Sequence, residues 1–324
     1  MDTRTTKSPS QDKMSKHILR RCSICKKFHA SYRVPESGSR VKYLCLDCWK
    51  SIYGTPTPAT KYEKSTKKDT LQDLEPTIIF SSKAEFYSRY RWDYDSGAIE
   101  AIVKIASVGI DTVIADIGAG TGILTHHFID KVKNLYAIEP NEEMYQEAKK
   151  HLSSSCSIIK ASAEATTLRD KSIDLILVAQ AIHWFDPETA RSEFLRIIKP
   201  GGWLAILKNY GTNDALNRAI EKLNTEQHRI LPLCQAQSSH KQMLDFYFRG
   251  HNYQNLSFPF TIQQEWKQFI GSLISASYMP NPNHPKFPSL EKAAKNVFNE
   301  FSNSKYLTVA GETELVIGRL FLQD

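Results

Sequence analysis

The chain has 324 residues, of which 41% are hydrophobic and 24% charged, with a formal net charge of +7. That length is ample for one large domain plus an appendage. No run of eighteen apolar residues occurs, and the opening "MDTRTTKSPSQDKMSKHILR" has no apolar centre, so neither a membrane span nor a secretory signal is expected and the protein reads as cytoplasmic. Residues 1–75 carry 16 Lys+Arg against 8 Asp+Glu, while the rest of the chain carries 26 against 27. The basic character therefore belongs to the N-terminal part. It reads either as a solvated tail or as contact with nucleic acid or another polyanion.

In chain order, residues 1–17 are polar and aperiodic and are expected to be a disordered tail. Residues 18–53 hold Cys22, Cys25, Cys45 and Cys48, two C-x-x-C pairs nineteen residues apart. Each pair can bring two thiolates to one ion, and two such knuckles complete a tetrahedron, so a four-cysteine, zinc-ribbon-like module with structural Zn2+ is expected. Redox dithiols fit less well, because neither pair lies in a βαβ pattern and a reducing cytosol disfavours disulfides. "VKYLCLDCWKSIYG" reads as a strand entering the second knuckle. Residues 54–79, rich in Pro, Thr and Lys, read as a linker.

Residues 80–324 alternate short apolar strands ("TVIAD", "LYAIE", "SIIKA", "IDLILVAQ", "GWLAILKN") with amphipathic helices such as "NEEMYQEAKKHL" and "PETARSEFLRII". This alternation predicts an α/β fold, a largely parallel sheet wrapped by helices. Residues 214–248 read as a helical cap, "SLEKAAKNVFNEF" as a late helix and "YLTVAGETELVIGRL" as closing β structure.

The stretch "DIGAGTGILTHHF" carries the chemistry. A dinucleotide-binding turn needs G-x-G-x-x-G, and here the series Gly118, Gly120, Gly122 runs G-x-G-x-G, with Ile123 at the place of the last glycine. Asp116, closing the first strand of the domain, would repel a pyrophosphate but attract an ammonium. Glu139, ending the second, is placed to accept ribose hydroxyls.

With these residues the chain resembles class I S-adenosylmethionine (SAM)-dependent methyltransferases, in a methyltransferase type 11-like branch, from about Phe80 to Leu320. "DIGAGTG" and "AIEPNEEMYQEA" match the first two motifs, and "ASAEATTLRDKSIDLILVAQAIHWFDPETARSEFLRIIKPGG" matches the third and fourth strands through the turn before the fifth. "FYSRYRWDY" resembles a segment that covers the cofactor, and "LISASYMP" a C-terminal stretch of the same branch. The resemblance implies a Rossmann-like methyltransferase sheet with SAM as cofactor. Asp116, Gly118 and Gly120 would then line the methionine end and Glu139 bind the ribose. Ser162 stands where the family often has an acidic adenine ligand, which leaves Ser162, Ala163 and Glu164 to hold adenine.

By the same resemblance Gln180 faces the transferred methyl, and Tyr90 and Arg91, with Trp92, cover the site. Tyr87 and Tyr90 also suit a plain core stripe. His183 is the candidate general base, with a structural floor formed by "HWF" as the competing account. Trp184, Ser275 and Tyr278 are candidates for the acceptor side. The expected function is methyl transfer to an O or N atom of a small-molecule metabolite, with no membrane partner and with the zinc module free to engage a protein. An RNA methyltransferase contacting its substrate through the basic zinc module, and a SAM-binding interaction protein without turnover, are the rival readings.

Overall fold

The computed structural model describes residues 19–21, 28–30, 32–35, 41–44, 83–152, 156–224, 240–249, 253–276, 278–303 and 305–320. The chain divides into two units, Met1–Thr70 with Cys234–Phe246, and Leu71–Leu233 with Tyr247–Asp324. In the first, β1 (Leu19–Arg21) pairs antiparallel with β2 (Phe28–Ala30), and β3 (Tyr32–Pro35) with β4 (Val41–Leu44). Strand β4 is the strand expected before the second cysteine pair. Cys22, Cys25, Cys45 and Cys48, like residues 1–17 and the linker 54–79, lie outside the described residues.

The second unit is built on β5 (Val113–Ile117), β6 (Asn134–Ile138), β7 (Ser157–Ile159), β8 (Ile173–Ala179), β9 (Ile198–Gly211), β10 (Tyr253–Gln264), β11 (Ser302–Asn303) and β12 (Tyr306–Arg319). Their order across the sheet is β10-β12-β9-β8-β5-β6-β7, with the short β11 pairing β12. Strands β5 to β9 are parallel, and β12 runs antiparallel between β9 and β10. The α/β expectation is met. Strand order reverses at β5, which is flanked by β6 and β8, and such a reversal opens a binding crevice beyond the C-terminal strand ends.

The apolar runs "VIADI" and "IDLILVA" suit central strands covered on both faces, and Ile114, Ala115, Leu175, Ile176 and Leu177 are fully buried. Helix α1 (Ala84–Tyr90) is followed by α2 (Ser96–Ile105), which Asp95 caps by accepting the Gly97 N–H at 2.8 Å. Ile99 and Ile102 of α2 pack with Ile114, Leu177 and Leu207 into one core. Helices α3 (Ile123–His126), α4 (Glu142–Leu152) and α5 (Pro187–Ile197) follow their strands, α5 starting at a proline behind the Asp186 cap.

Within the stretch expected to be a cap, the described residues 214–223 pack into the fold. Helix α6 (Asp214–Leu223) buries Leu216 and Leu223 in a second core with α8 (Trp266–Ile274), α9 (Phe287–Phe301) and β12, so it is part of the fold. Helix α7 (His240–Phe248) spans the division between the units. Strand β10 was not anticipated, and it contains Pro259, which a central strand would not tolerate. At the sheet edge the missing N–H leaves no ladder bond unmade on the outer side.

Candidate functional site

The glycine turn follows β5. Gly118 and Ala119 donate their N–H groups to Ile138 O at 2.9 and 3.0 Å, which ties the turn to the end of β6. All three glycines have left-handed backbone, with φ of 71°, 59° and 87°. They differ in what surrounds them. A Cβ at Gly118 would meet Ala181 Cβ at 2.6 Å and one at Gly122 would meet Leu152 Cδ1 at 2.2 Å, whereas at Gly120 the nearest atom is a Tyr87 ring carbon at 3.9 Å. Gly118 and Gly122 are demanded by packing, and Gly120 is the position left open.

Two carboxylates converge on this turn. Glu139 accepts from the Gly120 N–H on Oε2 and from the Asn141 N–H on Oε1, both at 2.8 Å. Each oxygen keeps a lone pair for a ligand hydroxyl. Asp116 Oδ2 accepts from Thr125 Oγ1 at 2.6 Å, while Oδ1 is buried with no hydrogen-bond partner among the described residues. Burial pushes the Asp116 carboxyl up to about 7; the Thr125 bond opposes this and the Glu139 charge adds to it. Burial also raises Glu139, against the pull of its two backbone donors. A buried anion with one idle oxygen is costly unless a proton or a cation completes it.

Tyr90, expected to cover the cofactor, packs elsewhere: a Cβ on Gly271 of α8 would fall 2.4 Å from its Cγ, and its ring stacks on Phe86 at 6.2 Å. Tyr87 is the α1 aromatic that reaches the open glycine, and the Arg91 guanidinium lies 4.8 Å above its ring. The three-residue spacing of the two tyrosines was visible in sequence, but only the close approach of α8 decides which one faces the glycine turn. Trp92 packs edge-on to Phe260 at 5.7 Å.

Lys83, which the sequence did not single out, is 1% exposed. Its Nζ donates to Ile274 O at 2.6 Å, to Ala276 O at 2.9 Å and to Met279 O. The ammonium thus caps the C-terminal end of α8 and joins it to α1. Burial, with the Arg91 charge adding, lowers Lys83 to about 7. The same cradle decides the place of Ser275: it is fully buried, and its hydroxyl donates to Ser272 O at 2.6 Å. Tyr278 packs against the second core.

At the end of β8, Gln180 takes a left-handed φ of 53°, unusual for a residue with a side chain. Its N–H donates to Leu207 O at 3.0 Å and its Nε2 to Asn209 O at 2.9 Å. A single 3-10 turn, Ile182–Trp184, then presents His183, whose ring lies 5.1 Å from that of Trp184. His183 is solvent-exposed, yet the protein crowded around it, together with the Lys208 and Arg91 charges, pushes its pKa down to about 4. Both neighbouring charges are positive and disfavour the imidazolium. An imidazole held this way is neutral at pH 7 but a weak base, which counts against the general-base role.

Ser162 and Ala165 form an isolated bridge that brackets the buried Ala163. Glu164 accepts from the Asp186 N–H at 2.9 Å, so one of its oxygens serves the loop carrying His183. A depression of about 290 Å³ between α6 and α9, lined by Ala215, Leu223, Val297 and Phe301, contains none of these groups. Among the described residues no group of three or more His, Cys, Asp or Glu could hold a metal ion, and no helix is long and apolar enough to cross a membrane.

Residues 115–206, from β5 into β9, match the family described as a methyltransferase domain. Over these residues the chain is similar to methyltransferase domains, and the glycine turn lies inside the matched segment. The chain is 34% identical over 140 residues to an uncharacterized methyltransferase of Mycobacterium bovis, a match covering 43% of this chain and 56% of that one. It is 34% identical over 136 residues to an uncharacterized methyltransferase of Schizosaccharomyces pombe, covering 41% and 53%. The chain thus spans about half the length of the curated relatives it matches. A solved structure provisionally described as a type II methyltransferase, from Anaeromyxobacter dehalogenans, superposes with a TM-score of 0.51 at 18% identity over 72% of this chain and 100% of that one, a likeness of fold.

Proposed function

We propose that the protein is a cytoplasmic SAM-dependent methyltransferase that modifies an O or N atom of a small molecule. The observation that carries this reading is the pair of buried carboxylates on the open Gly120 turn. Asp116 has an idle oxygen suited to the ammonium of a methionine moiety, and Glu139 has lone pairs to spare for two ribose hydroxyls. These residues fit SAM, whose sulfonium supplies an electrophilic methyl group when bound. Gly118 and Gly120 would line its methionine end, Ser162, Ala163 and Glu164 its adenine, and Tyr87 and Arg91 would cover it. Gln180, His183 and Trp184 would border the acceptor, where the protein's task is alignment and exclusion of water.

The N-terminal unit supports an accessory role. In sequence, Cys22 and Cys25 fall between the paired strands β1 and β2, and Cys45 and Cys48 directly follow β4, positions that suit the knuckles of a structural zinc site. Its basic charge suits either a protein partner or RNA. Incubation with methyl-labelled SAM, followed by separation of RNA from small molecules of a cell extract, tests the reading. Label in a small organic compound is expected, and label confined to RNA overturns it. Metal analysis should find one equivalent of zinc, and less than half an equivalent in carefully purified protein removes the zinc site.

A further inference from the structure

The C-terminal ends of β8 and β9 say more about the acceptor. Gln180 holds Leu207 O and Asn209 O, so Lys208 sits between its two anchor points. Asn209 Nδ2 in turn donates to Trp92 O at 3.4 Å and Asp93 O at 2.9 Å, which brings the residue before them, Arg91, to the same strand ends. The Arg91 guanidinium is held over Tyr87, the residue nearest Gly120.

Arg91 and Lys208 are both exposed, and neither forms an ion pair among the described residues. The neighbouring carboxylates have partners of their own. Asp93 meets His127 at 2.7 Å, Glu312 accepts from Tyr210 and Ser257, and Glu314, opposite Lys208 in the β9–β12 register, accepts from Asn255 at 3.0 Å. Two cations with no ion pair among the described residues therefore border exposed His183, and both of their charges act on its ring.

We propose that the methyl acceptor is a small carboxylic acid, bound as the carboxylate by Arg91 and Lys208 and methylated on a carboxylate oxygen. This rests on the methyltransferase reading above. A guanidinium stacked on an aromatic ring is pre-oriented to offer its fork to a carboxylate, and a lysine adds a second point of charge. The chemistry agrees with the neutral, weakly basic imidazole. A carboxylate oxygen uses a lone pair to form the new C–O bond as the S–CH3 bond breaks and leaves its pair on sulfur. Carboxylate and sulfonium become a neutral ester and a neutral thioether, and no proton has to be removed. An alcohol or ammonium acceptor would require a base that His183, so placed, supplies poorly.

The test uses the full chain, methyl-labelled SAM and the small molecules of a cell extract, split by anion exchange into retained and flow-through fractions. Label is expected in the retained fraction before transfer, and mild alkali should release it as volatile methanol, as a methyl ester requires. Alkali-stable label, or label arising only from the flow-through, overturns the carboxylate proposal and leaves the small-molecule reading standing. Label only in RNA, or in nothing, overturns both. The labelled acid's parent is then purified and titrated calorimetrically into cofactor-free protein. Lys208→Gln, a change at an exposed strand position, should weaken it roughly tenfold and leave SAM affinity within twofold. Lys208→Arg should retain most of the affinity. An unchanged affinity in Lys208→Gln overturns the assignment of that residue.

Discussion

The glycine turn and the Lys83 cradle both bury charge, and they are assembled on different scales. The turn's bonds link residues 2, 9 and 19 positions apart, Glu139 to Asn141, Asp116 to Thr125 and Gly120 to Glu139. The cradle's bonds link Lys83 to carbonyls 191 to 196 positions away. The first is a local motif with an idle oxygen; the second is a long-range clasp with every donor engaged. On this view the turn is built to receive a ligand and the clasp to hold α1 and α8 together.

Breaking the clasp should give the largest effect. Lys83→Met keeps the stem's length but leaves buried carbonyls of Ile274, Ala276 and Met279 without their donor. Each lost partner costs on the order of 1 kcal/mol or more, so a destabilisation of about 2–4 kcal/mol is expected. Thermal and urea unfolding should show it. If stability is unchanged and only SAM affinity falls, the contrast between clasp and ligand site is wrong.

Glu139→Ala sharpens the other side of the contrast. On the proposed reading it removes the acceptor for two ligand hydroxyls, and charge-assisted bonds are worth about 1.5–3 kcal/mol each before losses, so SAM affinity should drop at least tenfold. Calorimetry measures it. A folded variant with unchanged SAM affinity, or one that binds NADH, would remove the cofactor assignment.

These two regions also mark what the sequence made legible. Asp116, the alternating glycines and Glu139 form a signal within 24 residues, so strand, turn and carboxylates could all be read together; β5 to β8 appeared within two residues of their observed bounds, while β9 starts at Ile198, ahead of the stretch read as a strand. Lys83, the approach of Tyr87 to Gly120 and the buried hydroxyl of Ser275 depend on α8 packing against α1, and no local spacing encodes that approach. The edge strand β10 escaped for a related reason: Pro259 argues against a strand unless one knows that it lies at the border of the sheet.

Asp116 supplies a pH test of intermediate size. Its folded pKa, about 7, lies above the ordinary value of 3.8. The stability linked to its proton is therefore fully present below the unfolded value and is lost as pH rises through about 7. A cationic ligand works in the opposite direction, since it favours the ionised carboxylate. SAM affinity should rise several-fold between pH 6 and pH 8, and Asp116→Asn should flatten that rise. An equal pH dependence in the variant would place the titration on another group.

The smallest effect is expected at His183, although it looked in sequence like the residue most concerned with chemistry. The protein around this exposed ring and the Lys208 and Arg91 charges push its pKa down to about 4, so little is expected of it as a base between pH 6 and 8. His183→Ala should lower kcat by less than about tenfold, leave SAM affinity within a few fold, and leave the kcat profile flat across that range. A loss near a hundredfold, with an acid limb close to pH 6.5, would show a proton taken by the imidazole in the rate-limiting step. That result would restore His183 as a base and argue for an acceptor that must lose a proton. It would also reduce Arg91 and Lys208 to surface charges, because a carboxylate acceptor has no proton for His183 to take.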